Sequence, residues 1–184
     1  MKLNTKNGFL LLVVLAAAFS RLIPHAPNFT PIGALALFGA AYFSRKSLAL
    51  LVPALAIFLS SLVINNVVYQ PESFVWMDIN FPAQILAFGL IALMAFFSLK
   101  KINVKSVAMG SISASLIFFV ITNFSVWITG GMYPMTFAGL LSCYEMAIPF
   151  FWNTLAGDLV YVTILFGAYE VVRRQVPALV YAKA

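Results

Sequence analysis

Nineteen consecutive residues, FPAQILAFGLIALMAFFSL from Phe81 to Leu99, carry no charge. Wound as a helix at about 1.5 Å per residue, such a run nearly matches the ~30 Å hydrocarbon core of a bilayer. Apolar runs of this kind recur at about 8–23, 30–44, 47–69, 81–99, 106–129 and 150–171. The second is short for a crossing and is suited to sit inside protein rather than cross lipid alone. With 63% hydrophobic and 9% charged residues and a mean hydropathy of +1.01, the chain has too few charges to cover a water-facing surface, where about 25% is usual. The expected fold is all-α: a polytopic six-transmembrane-helix bundle forming one domain over residues 1–184. No linker, low-complexity tract or internal repeat interrupts it.

The charges orient the bundle. Ten of the eleven basic residues flank alternate ends of the runs: Lys2 and Lys6, Arg45 and Lys46, Lys100, Lys101 and Lys105, then Arg173, Arg174 and Lys183. The opposite segments hold Glu72, Asp78 and Glu145 and no lysine or arginine. The positive-inside rule then places both termini in the cytoplasm. The net charge of +6 is a topology signal, so no nucleic-acid partner is expected. The first segment, MKLNTKNGFLLLVVLAAAFS, also has the basic start, apolar core and small residues of a secretory signal. The apolar run continues past Ala16–Ala18 through Phe19, Leu22 and Ile23, which favours retention as a span. One cysteine, Cys143, excludes an internal disulfide and any multi-cysteine metal site, and no cofactor is expected.

Chemistry concentrates on the outer side. RLIPHAPNFT, Arg21 to Thr30, holds the single histidine of the chain. Pro24 and Pro27 end the first helix, Thr30 suits an N-cap, and Pro31 suits the first helical position. The stiff loop would hold His25 and Asn28 at the mouth of the bundle. Arg21 can snorkel to the headgroups or turn inward to an anionic group. His25 can brace its own loop or touch a ligand. The segment from Gly130 to Pro149 places Phe137, Leu140, Leu141, Tyr144 and Ile148 at helical spacing. It is expected to form a separate surface or re-entrant helix at about 136–147, carrying Glu145 as part of a lid. Trp76, Trp127 and Trp152 all fall at this end, as an interfacial belt or a stacking surface.

Inside the spans, Ser111, Ser115, Thr122, Ser125 and Thr129 share one helical face, as do Asn153, Thr154, Gly157, Asp158 and Tyr161. Ser61 and Asn65 lie one turn apart. Lipid satisfies none of these groups, so the stripes should turn inward. Asp158 costs at least ~2.5 kcal/mol at membrane depth and is a functional candidate by default. It can pair with Arg21, bind a ligand or carry a proton. The candidate substrate-binding residues are therefore Arg21, His25, Asn28, Trp127, Glu145, Asn153 and Asp158. No HExxH, GxSxG or phosphate-cradling loop is present, so no enzyme activity is expected.

RLIPHAPNFTPIGALALFGAAYF, TNFSVW at Thr122–Trp127 and CYEMAIPFFWNTLAGD at Cys143–Asp158 resemble a family of bacterial membrane proteins of uncharacterised function regarded as transport proteins. That family is similar in size and layout to the substrate-capture (S) components of energy-coupling-factor (ECF) vitamin transporters. The resemblance implies a multi-pass protein of the bacterial inner membrane that takes up a vitamin-like small molecule. It also implies a transmembrane T component and ATPase subunits as partners. S components often dock through an AxxxA motif on the first span. Here that span offers Ala16-x-x-x-Ser20, while Ala36-x-x-x-Ala40 lies on the second. A solitary or proton-coupled carrier is the alternative.

Overall fold

The computed structural model describes residues 5–176; Lys2 and Lys183, counted above as topology signals, lie outside them. Six helices are present among the described residues: α1 (Thr5–Phe19), α2 (Ile32–Tyr42), α3 (Lys46–Val63), α4 (Phe81–Ser98), α5 (Val104–Thr129) and α6 (Phe137–Gln175). A 3-10 turn, Ser20–Leu22, continues α1, and a π turn, Ile64–Val68, continues α3. With these extensions, five helices are long and apolar enough to cross a membrane; α2 is not. The chain is therefore a multi-pass helical membrane protein.

α2 is the centre of the bundle and packs against each of the other five helices. Every residue from Ile32 to Gly39 is buried, as is Tyr42. A helix that is apolar all round has no face to offer water and belongs in an interior. Lipid supplies no hydrophobic drive between helices, so close van der Waals contact must hold them. Small residues permit it: a Cβ built on Gly39 would lie 2.7 Å from the Ala49 carbonyl oxygen and 3.1 Å from Pro53 Cγ, on α3. Ala34 and Ala36 are also fully buried. At the basic end, Phe38, Tyr42, Phe166 and Tyr169 interlock their rings, with Tyr42 and Tyr169 centroids 4.1 Å apart. The Tyr42 hydroxyl donates to Glu170 at 2.7 Å, and Glu170 also pairs with Arg173 at 2.6 Å. Phe9 meets Tyr169 there, so both ends of the described chain lie at one end of the bundle.

Two expectations need correction. The segment after Gly130 forms no separate surface helix; Phe137–Gln175 is one continuous helix of 39 residues. Pro149 lies inside it and removes one backbone donor without ending it, because neighbours carry the strain of the junction. Tyr144 Oη donates to the Val120 carbonyl at 2.8 Å and Cys143 Sγ to that of Asn123 at 3.5 Å, fixing the first half of α6 against α5. At about 1.5 Å per residue, α6 is roughly 58 Å long and overruns the hydrocarbon core. Thr30 is not the N-cap of α2 either. Pro31 holds that position and makes no side-chain cap bond.

Candidate functional site

An 11-residue helix rises only about 16 Å, about half the hydrocarbon core. The N-terminus of α2 therefore lies inside the bundle, where its first amides are buried and have no intrahelical partner. Asp158 of α6 supplies the missing acceptor. Its Oδ1 accepts from the Ala34 amide at 3.0 Å and its Oδ2 from the Ser115 hydroxyl of α5 at 2.8 Å. Asp158 is 1% exposed. Gly33 makes the approach possible: a Cβ there would stand 2.5 Å from Asp158 Oδ2. One carboxylate thus joins three helices and complements the positive end of the α2 dipole.

The chain above α2, residues 23–31, runs as a loop at the acidic end. Gly157 lets α6 lie directly against it, since a Cβ there would sit 3.0 Å from Thr30 N and 3.2 Å from Phe29 Cα. Asn153 Nδ2 donates to the Pro27 carbonyl at 2.9 Å. Asn28 adopts φ +63°, a left-handed conformation that asparagine tolerates better than most residues. His25 Nδ1 lies 2.6 Å from the Ile23 carbonyl. A carbonyl can only accept, so that contact places a proton on Nδ1.

Beside this loop lies a cavity of about 570 Å³, walled by Arg21, His25, Asn28, Ser61, Asn65, Asp78 and Gln84 among others. This volume is in the range of small-molecule sites. A second cavity of about 220 Å³ adjoins it and shares Asn28, Asp78 and Gln84. Its remaining walls include Phe118, Phe119 and Phe151 with Thr122, Asn123 and Thr154. Arg21 is placed by the 3-10 turn that ends α1. Its Nη1 donates to the Ser60 and Ser61 hydroxyls of α3, each at 3.1 Å, while its buried Nε has no partner among the described residues. The Arg21–Asp158 ion pair is not formed: the arginine turns to α3 and the cavity, the aspartate to α2.

Of the sequence candidates, the structure brings together Arg21, His25 and Asn28 in one cavity wall. Asn153 stands behind the loop as its brace, and Asp158 lines neither of these cavities. Trp127 Nε1 donates to the Pro134 carbonyl at 3.0 Å and braces the α5–α6 turn. Glu145 is exposed on α6. The docking motif is corrected in part. Ala36 is fully buried in the bundle core and offers nothing to a partner, while Ala40 is half-buried. Ser20 is tied to Tyr161 at 2.6 Å, and Ala16 alone of the four is exposed.

Asp78, Gln84 and Asn65 also wall the larger cavity, beyond the binding residues expected from the sequence. Gln84 had a signal: it is the one hydrogen-bonding side chain in the first turns of an otherwise apolar span. The polar stripes did turn inward, with Ser111 and Ser115 fully buried and Thr122 on the smaller cavity.

Comparison with known proteins adds a family. No curated protein and no solved structure matches the chain. A family model covers residues 1–179, nearly the whole sequence, and the chain belongs to that family, a family of unknown function designated DUF6580.

Proposed function

We propose that this protein is a membrane-embedded capture protein for a small solute that carries an anionic group. The observation that carries this reading is Arg21. A guanidinium that is always charged and offers only donors stands in the wall of a cavity of about 570 Å³. Its protein partners are two neutral hydroxyls, and a buried N–H is left over. A buried cation without a counter-charge is costly, and a bound carboxylate or phosphate would supply one in bidentate form. The positive-inside distribution supports entry from outside, since the cavity lies at the acidic end. Uptake then needs an energy source. The resemblance to S components supports a T component and ATPases in that role, with the exposed Ala16 face of α1 available for docking. A carrier that titrates Asp158 has less support, because that carboxylate is engaged by the Ala34 amide and Ser115.

The test is the small-molecule content of the purified protein. Mass spectrometry of wild type should find an enriched anionic compound that is lost from Arg21→Gln at equal folded yield. Retention of the same compound by Arg21→Gln would show that the cavity wall does not bind it. Uptake that persists without candidate ATPases would remove the S-component form of the proposal and leave the capture site.

A further inference from the structure

We infer that the captured solute is dipolar: its anionic group faces Arg21, and a hydrogen-bond-donating cationic group, of ammonium type, faces Asp78 and Gln84. This names the substrate class of the cavity and rests on the reading of that cavity as the binding site.

The walls are polarised. Arg21, at the end of α1, presents donors only, and its Nε is buried without a partner among the described residues. The start of α4 presents acceptors. Asp78 Oδ1 takes one bond, from the Asn80 amide at 2.8 Å, and a carboxylate has capacity for several more. Gln84 Oε1 is buried and has no partner among the described residues. Asp78 and Gln84 line both cavities, whereas Arg21 lines only the larger. The acceptor group therefore sits where the two spaces meet.

The two charges share one cavity without neutralising each other. The ion pair found among the described residues is Arg173–Glu170, at the other end of the bundle. Asp78 is exposed, so water screens its attraction to Arg21 and the two need not pair. Arg21 is held away by Ser60 and Ser61, and Asp78 is held in its turn by Asn80. The geometry thus keeps a cation and an anion apart and open. A plain carboxylate would satisfy Arg21 but set a second negative charge near Asp78. A plain amine would satisfy Asp78 but repel Arg21. A ligand with both groups matches both walls, and three ammonium donors suit the Asp78 carboxylate and the Gln84 carbonyl together.

The experiment uses the full chain in lipid nanodiscs, with affinity read by calorimetry and melting temperature. Three probe sets are compared: free amino acids with the amino group at the α, β and more distant positions, their N-acetyl derivatives, and the corresponding decarboxylated amines. A free amino acid should bind, and its N-acetyl and decarboxylated counterparts should bind at least about tenfold more weakly, the size of one lost charge-assisted bond. Asp78 is exposed, so Asp78→Asn is expected to fold normally. It should shrink the gap between free and N-acetyl forms below about threefold. Arg21→Gln should weaken both. An N-acetyl form that binds as tightly as the free amino acid, and still depends on Arg21, overturns the dipolar assignment and leaves the anion site standing. No binding in any set, or binding unchanged by Arg21→Gln, defeats the cavity reading and this inference together.

Discussion

Substitution of Asp158 separates a structural carboxylate from a ligand-binding one. Asp158→Ala removes the acceptor for the Ala34 amide and the Ser115 hydroxyl in an environment that is 1% exposed. A buried donor left without a partner costs about 1–3 kcal/mol. Ser115 Oγ can turn its one hydrogen to the Ser111 carbonyl, 3.1 Å away, so its penalty falls at the low end. Removal of a buried charge recovers part of its desolvation cost. The net expectation is a loss of about 2–4 kcal/mol, at or above the ~2 kcal/mol upper end for a lost N-cap. Asp158→Asn keeps an acceptor for Ala34 and lets the Ser115 hydroxyl accept instead of donate. It forfeits the charge-assisted strength and the favourable dipole interaction, about 1–2 kcal/mol together. For a chain of this size these values correspond to melting shifts of roughly 5–15 °C and 2–8 °C. The assay is equilibrium unfolding in mixed micelles with rising anionic detergent, alongside ligand affinity on the folded fraction. Affinity should stay within about threefold of wild type, and the Asp158→Asn and Arg21→Gln effects on stability should add within about 0.5 kcal/mol, because the two residues share no partner. An Asp158→Asn protein that melts like wild type but loses tenfold or more in affinity would refute the capping role and restore Asp158 to the binding site.

Two further outcomes test the frame around the site. Gly157→Ala should destabilise the protein by about 1–3 kcal/mol, because the added Cβ would meet the backbone of Phe29 and Thr30 at 3.0–3.2 Å; a neutral result would mean that the loop is not packed on α6. In a Cys143→Ser background, single cysteines at the exposed positions Asn28, Ser73 and Met132 should react with an impermeant thiol reagent from outside the cell. Cysteines at the exposed positions Ser44, Asn103 and Gln175 should react only after permeabilisation, and the reverse pattern would invert the proposed direction of capture.

Apolar length and polar periodicity made the bundle legible. Four of the five long helices begin and end within a few residues of the apolar runs, whereas α6 starts at Phe137, well ahead of its run; the short second run became the buried centre because it has no polar face. The serine stripe of α5 and the polar face of α6 turned inward for the reason stated from sequence: lipid cannot satisfy them. Local rules failed where distant residues overrode them. Thr30 and Pro31 carry a normal N-terminal signal, yet the cap comes from Asp158, 124 residues away from the Ala34 amide it serves. Backbone amides occur at every residue but proline, so no pattern of side chains marks which one a distant carboxylate will find. Pro149 read as a terminator, but contacts to α5 carry the helix through it. Asp78 was seen as loop charge because nothing local tells a carboxylate that turns a loop from one that also walls a cavity.

The half-length of α2 explains why the cavity exists. A full helix at the centre of the bundle would fill a cylinder about 10 Å across from one end to the other. Here the helix stops at Ile32, and above it the space is taken by residues 23–31, a loop pressed to α6 by Gly157 and the Asn153–Pro27 bond. A single irregular pass of chain, turning at Pro27–Asn28, occupies less than a helix does. The remaining volume opens towards α3 and α4, where Arg21, Asn65, Asp78 and Gln84 wall it. Stopping a helix inside a bundle strands its first amides, and that penalty would ordinarily drive the helix to continue or the loop to unfold. Asp158 removes the penalty from the α6 side, so the stop is stable and the volume stays open. The acid that caps α2 and the arginine that would hold the solute are thus parts of one arrangement. It follows that changes which let α2 grow upward, such as replacing Pro24, Pro27 and Pro31 with alanine, should shrink the cavity and abolish solute binding while leaving the bundle helical; binding that survives with a lengthened α2 would place the solute elsewhere.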